Sequence, residues 1–249
     1  MRETLELGAG WAEEASSWVD SLRFLRLRID DAGILVVSNG VVGNNTHRAL
    51  NPDEFRGFAL VDEYAPLVFV NAADFKSAQM FTLAHELAHV WLDASGVSNP
   101  DLGDLDASRP DIEQRCNEVA AEFLIPADEL RGVWTNVSGE PVRFEQVARH
   151  FKTSQIVAAR RALDIELISR SEFFEFWEDY QADERRSAQT GSEGGNFWNT
   201  QSVRLGRRFS HAVVNAVHAG RLLYQDAYSL TDLRGPTFDT LVERVRETA

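Results

Sequence analysis

The chain has 249 residues, an apolar fraction of 44%, a formal net charge of −14 and one cysteine, Cys116. This length suits one large domain or two smaller ones, and a single cysteine excludes an internal disulfide. The acidic balance argues against avid, non-specific nucleic-acid binding, and the absence of a long apolar run or a signal peptide predicts a cytoplasmic protein without a membrane anchor.

The first third of the chain predicts a helix followed by strands. Residues 11–28 have the apolar spacing of an amphipathic helix, and the apolar run 34–37 predicts a strand. Residues 38–52 are rich in Asn and Gly, which predicts a loop. The apolar runs 58–61 and 67–70 flank a polar turn and predict a hairpin.

An apolar helix is predicted next, with Asp74 as its N-cap and Gly96 and Pro100 as its stop signals. It carries His85 and His89, which are four residues apart and therefore share one helix face. Two imidazoles at this spacing suit a tetrahedral zinc ion. Glu86 follows the first histidine, where its carboxylate can take a proton from a metal-bound water. The alternative is that the two histidines bind no metal and only make hydrogen bonds on a core helix.

A catalytic zinc site usually has three protein ligands. The loop 98–111 offers Asp101, Asp104, Asp106 and Asp111, and the helix predicted over 112–125 offers Glu113, Glu118 and Glu122. A glutamate on a packed helix is better held than a loop aspartate, so composition favours the three glutamates without separating them. Cys116 lies near the same face, but a lone cysteine in an apolar helix is more often a core residue.

Further along, Pro126 ends that helix, and helical patterns follow over 144–150, 154–163 and 171–186. Residues 187–195 have the composition of a linker or exposed loop. Residues 196–228 are predicted to be mainly helical.

The segment 142–162 is basic in an otherwise acidic chain, and its two short helices around a polar turn resemble a helix-turn-helix. It is a candidate for DNA contact. The alternative is that the two helices only pack together, with their arginines at the surface.

Two segments, residues 81–92 and 113–126, resemble the ImmA/IrrE metallo-endopeptidases. In that family the second segment runs Glu-x-x-Ala-Asn-x-Phe-Ala-Ala-x-Leu-Leu-Met-Pro, and its leading Glu is the third zinc ligand. A match on Asn117, Ala120, Ala121 and Pro126 assigns that role to Glu113. Cys116 and Val119 depart from the pattern in ways that concern packing rather than chemistry.

The resemblance implies a zinc endopeptidase in which His85, His89 and Glu113 hold Zn²⁺ and Glu86 is the general base. It also implies a dedicated substrate, such as a DNA-binding repressor. The alternative is a catalytically weak regulatory or antitoxin-like protein that acts by binding a partner protein or DNA. The presence of Glu86 favours the enzyme, because a structural zinc site needs no general base.

The predicted fold class is α+β: a zincin-like core with a small sheet, followed by a mainly helical C-terminal region. We predict a metallopeptidase core over 1–135 and a helix-turn-helix-like segment over 136–186. A linker over 187–195 then leads to a helical extension over 196–249.

Overall fold

The computed structural model describes residues 1–98, 111–187 and 197–247, and the statements below refer to those residues. They form four strands and eleven helices. The strands are β1 (Leu35–Asn39), β2 (Gly57–Leu60), β3 (Leu67–Asn71) and β4 (Gly96–Ser98). The helices are α1 (Trp18–Asp31), α2 (Lys76–Trp91), α3 (Asp111–Leu124), α4 (Ala127–Val137), α5 (Arg143–Phe151), α6 (Gln155–Asp164), α7 (Arg170–Ser187), α8 (Phe197–Leu205), α9 (Arg207–His218), α10 (Tyr224–Thr231) and α11 (Pro236–Glu247). The predicted α+β class is confirmed.

The strands form one mixed sheet in the order β1-β3-β2-β4. β1 runs parallel to β3, while β2 is antiparallel to both β3 and β4. One face of the sheet is buried through Val36, Ala59, Val68 and Val70, and helices α1 and α2 pack against the strands. The predicted hairpin over 58–61 and 67–70 is therefore present as β2 and β3.

Helix α1 begins later than the pattern over 11–28 predicted. The side chain of Ser17 caps it by accepting from Asp20 N at 3.1 Å. Trp11 precedes the helix and still packs inward, with 8% of its surface exposed and its ring stacked on Phe24. An apolar residue that packs from a loop thus extended the apparent helical period.

The boundaries of α2 also differ from the prediction. Phe75, not Asp74, occupies the N-cap, and it makes no side-chain cap. Asp74 Oδ1 accepts from the adjacent Phe75 N at 2.8 Å, which is too early to cap the first turn. At the other end, Gly96 does not stop the helix but begins β4.

Helices α3 to α7 continue the first hydrophobic core, which extends from Leu5 to Phe173. Helix α4 was not predicted; it follows Pro126, which ends α3 and occupies the N-cap of the next helix. The helices of segment 136–186 share this core with the preceding residues, and the division of the chain at 135 stays a prediction. The predicted linker over 187–195 lies outside the described residues, apart from Ser187 at the end of α7.

The C-terminal helices form a second hydrophobic core around Phe238, Leu241 and Val213. The predicted helical stretch over 196–228 is divided at Gly206, where φ is +73° and an added Cβ would lie 2.6 Å from Val36 O. Only glycine allows that approach. Asp30 then accepts from Arg208 N and Arg207 Nε, both at 3.1 Å, so a side chain of α1 caps α9 and fixes it to the sheet layer.

Candidate metal centre

Helix α2 passes through the first core. Every residue from Gln79 to His89 is buried, so its polar side chains lie in an apolar surrounding. His85 and Glu86 have no exposed surface, and His89 has 1%. Buried ionisable groups are costly unless they are paired or bind a cation. The helix therefore places three such groups where only a strong local interaction can stabilise them.

The structure brings the two histidines and Glu113 together. Glu113 lies in the first turn of α3, which packs against α2. Its Oε2 lies 3.2 Å from His85 Nε2, and its Oε1 lies 3.3 Å from His89 Nε2. The two Nε2 atoms are 3.1 Å apart. These are the three residues that could hold a metal ion in the described part of the chain.

The outer nitrogen of each ring is held by an amide oxygen. His85 Nδ1 lies 2.9 Å from Asn117 Oδ1, and His89 Nδ1 lies 3.0 Å from the carbonyl oxygen of Ala94. Carbonyl oxygens only accept, so both Nδ1 atoms donate. The lone pairs of both Nε2 atoms consequently point inward, towards the carboxylate of Glu113.

This donor set fits a zinc ion. Ligands about 2.1 Å from a tetrahedral centre lie about 3.4 Å from one another, and the three observed separations are 3.1, 3.2 and 3.3 Å. Two imidazole nitrogens and one carboxylate oxygen are typical zinc ligands.

Glu86 lies against the first residue of β2. A Cβ added at Gly57 would be 2.8 Å from Glu86 Oε1 and 2.9 Å from its Cγ. It would also be 2.7 Å from Thr82 Cγ2. Gly57 therefore lets the strand approach the helix closely enough to confine the glutamate. Sequence reasoning missed this residue, whose only signal was a glycine directly before an apolar run.

The other candidate ligands lie elsewhere. Glu118 is exposed and accepts from Gln114 Nε2 at 3.0 Å, while Glu122 forms an ion pair with Arg161. Asp101, Asp104 and Asp106 fall outside the described residues, as does the side chain of Asp111. Cys116 is fully buried, and burial, followed by the charges of Glu113 and Glu86, raises its pKa to about 12. A thiol in that state is a core residue rather than a thiolate ligand.

The edges of the sheet limit where a peptide can add. β2 is flanked by β3 and β4, so residues 58–61 cannot themselves accept a further strand. Among the described residues its partner β4 is the outer strand at that edge. It begins beside the site, where a Cβ at Gly96 would lie 3.8 Å from His89 Cε1. At the opposite edge, α8 packs against β1.

The basic segment 142–162 uses its cations within the chain. Arg143, Arg149, Arg160 and Arg161 pair with Glu172, Glu145, Asp164 and Glu122, respectively. Helix α6, the second of the pair, is buried on most of its surface. These contacts favour the packing alternative, and DNA contact stays a prediction.

Comparison with known families adds to this geometry. The model of a family described as an IrrE N-terminal-like domain matches residues 29–163, more than half of the chain. The chain belongs to this family. The resemblance drawn from the sequence motifs is thereby confirmed, and the family is metallopeptidase-like. The matched residues include His85, Glu86, His89 and Glu113, as well as Gly57.

A second family model, a domain of unknown function (DUF8813), matches residues 205–244. These residues span α9 and α10 and most of α11, which form the second core. No protein of curated function matches the chain. In the described part of the chain, each helix is too short or too polar to cross a membrane.

Proposed function

We propose that this chain is a zinc-dependent endopeptidase of narrow specificity that cleaves a regulatory protein, such as a DNA-binding repressor. The observation that carries the proposal is the convergence of three metal-ligand atoms beside the fully buried Glu86. A structural site would gain nothing from a glutamate at that position, because its four ligands are closed to water.

Four side chains have distinct roles in the proposed hydrolysis, three as metal ligands and one as the general base. His85, His89 and Glu113 would hold the ion, and zinc bound there would supply a Lewis acid that polarises a carbonyl and acidifies water. Glu86 accepts the proton of the attacking water at its carboxylate and returns it to the leaving amine. The apolar residues of α2 keep this exchange in a low-dielectric surrounding, where a positioned charge acts strongly.

Access to the site supports the narrow specificity. The side chain of Glu113 is 24% exposed, whereas those of His85 and His89 are 0% and 2% exposed. Glu113 is the most exposed of the three ligands, so substrate approaches from the side of α3. Strand β4 begins beside His89 and is the candidate for main-chain pairing with an extended backbone. The assignment to a regulatory substrate rests on the family resemblance.

The first test is metal content. Protein purified without chelator should contain about one zinc per chain, and Glu113→Ala should have lost most of it. Glu86→Gln is the matched control, since it removes the general base but keeps all three ligands, and it should remain loaded. Wild-type protein without metal, even after reconstitution with zinc, would overturn the proposal.

The second test is cleavage. Profiling of new N-termini in the native proteome should show products with the zinc-loaded wild type that are missing with Glu86→Gln. If both proteins bind zinc and neither produces new termini, the chain is a regulatory or antitoxin-like protein that acts by binding. Pull-down with Glu86→Gln would then identify that partner.

A further inference from the structure

Asn117 connects the two helices of the metal centre. It lies four residues after Glu113 on α3, so the two side chains lie one turn apart on the same helix face. Glu113 contacts the inner nitrogen of His85, while Asn117 contacts the outer nitrogen of the same ring. Helix α3 thus touches one imidazole of α2 at both of its nitrogens.

The contact determines which nitrogen of His85 is free to bind a metal. A neutral imidazole carries one N–H, and its position follows the hydrogen bond that the ring makes. Asn117 Oδ1 accepts from Nδ1 at 2.9 Å, which leaves the lone pair on Nε2. Without this acceptor the proton can move to Nε2, where Glu113 Oε2 lies 3.2 Å away and would accept it. The ring would then present a proton to the centre instead of a lone pair.

The side-chain amide of Asn117, which accepts from His85 Nδ1, is also uncharged. Glu113 and Glu86 together balance the two positive charges of a zinc ion, and the other outer partner, Ala94 O, is a neutral carbonyl. A carboxylate at position 117 would add a third negative charge to a buried site. An amide orients the ring and leaves the charge of the loaded site at zero, so it avoids burying an unbalanced charge.

We propose that Asn117 is a positioning residue that holds His85 in its metal-binding tautomer before the metal arrives. The proposal rests on the proposed zinc site. Groups that orient metal-bound histidines typically change metal affinity by about 10–100-fold when they are removed. Asn117→Leu, which is similar in size and lacks an acceptor, should therefore bind zinc 10–100-fold more weakly.

Two further variants separate this role from a general loss of packing. Asn117→Asp keeps an acceptor oxygen, so despite its added charge it should bind zinc more tightly than Asn117→Leu. Gln114→Ala lies on the exposed side of the same helix, where it removes only a surface contact with Glu118, and it should bind zinc normally. Affinity is measured by competition with a chromophoric chelator, and folding by circular dichroism.

A second readout needs no metal. Long-range ¹H–¹⁵N spectra of histidine-labelled apoprotein at pH 8 report the tautomer of His85. Wild type and Asn117→Asp should carry the proton on Nδ1, and Asn117→Leu should shift it to Nε2. A folded Asn117→Leu that keeps both the tautomer and the zinc affinity of Gln114→Ala would overturn the inference. Wild-type protein that binds no zinc would refute the proposed function instead, while its tautomer would still test Asn117.

Discussion

The two hydrophobic cores bury different kinds of polar groups. The first core contains His85, Glu86 and His89, which are ionisable and lie on a helix with almost no exposed surface. The second contains Ser210 and Thr231, whose hydroxyls donate to carbonyl oxygens of the preceding turn at 2.8 Å. Hydroxyls satisfied in this way cost little, whereas buried ionisable groups cost several kcal/mol. The contrast places the ionisable groups of the candidate metal centre in the first core, whereas Ser210 and Thr231 in the second are satisfied by their own helices.

The largest expected effect comes from a cavity in the second core, which should unfold that core and leave the first intact. Phe238 is fully buried, and Phe238→Ala should destabilise the C-terminal helices by about 3–5 kcal/mol. Hydrogen exchange should show that α9–α11 lose protection while α2 and α3 keep theirs, with zinc content unchanged. A simultaneous loss of zinc would show that the second core also supports the metal centre.

Removal of zinc should instead destabilise the first core. At a free zinc concentration 100-fold above Kd, binding stabilises the folded state by about 2.7 kcal/mol. Urea unfolding with and without EDTA measures this difference, which should disappear in His89→Ala. Protection of α9–α11 should respond less than that of α2 and α3; an equal response would show that the two cores unfold as one unit.

Gly57→Ala tests whether the position of Glu86 in the first core depends on the close approach of β2 to α2. The added methyl group would collide with Glu86 and Thr82, so it should cost about 1–3 kcal/mol by overpacking. Peptidase activity should fall because Glu86 is displaced, although zinc remains bound. Gly132→Ala, on α4 with open space around its Cα, is the matched control and should be neutral or slightly stabilising. Full activity in Gly57→Ala would show that Glu86 tolerates the displacement.

The smallest effect concerns the junction between the cores. Asp30 is 5% exposed and caps α9, so Asp30→Ala should cost about 1 kcal/mol. Asp31 pairs with the same Arg207 but is half exposed, and Asp31→Ala should cost less. Thermal unfolding of the two variants in parallel gives the difference. Equal effects would mean that the exposed ion pair, not the cap, fixes α9.

Helix α2 and its two histidines were predictable because the evidence lies within a few neighbouring residues of the sequence. The four-residue spacing of His85 and His89 puts both on one helix face, and the apolar residues between them predict a buried helix. Neither inference depends on distant parts of the chain. Glu113 was selected by resemblance alone, since helical spacing left Glu118 and Glu122 equally open. In the structure, the position at which α3 packs against α2 brings Glu113, and not Glu118 or Glu122, to the two histidines. The packing position of two helices cannot be read from helical spacing.

The features that escaped prediction depend on distant parts of the chain. Gly57 matters because α2 lies against it, and β4 forms because β2 offers a partner to residues otherwise typical of a loop. Helix α4 was missed because Pro126 was interpreted only as a stop signal. Trp11 extended the apparent period of α1 because burial can come from a loop as well as from a helix.

The contact between Arg161 and α3 affects how mutations in the basic segment 142–162 should be interpreted. Arg161 donates from Nε to Ile125 O at 3.0 Å and pairs with Glu122, so α6 holds the far end of the helix that carries Glu113 and Asn117. A mutagenesis screen that replaces the arginines of segment 142–162 to abolish DNA recognition would also disturb this support. Loss of function in an Arg161 mutant would therefore not by itself identify a DNA contact, because the same substitution removes a support of the helix that carries Glu113.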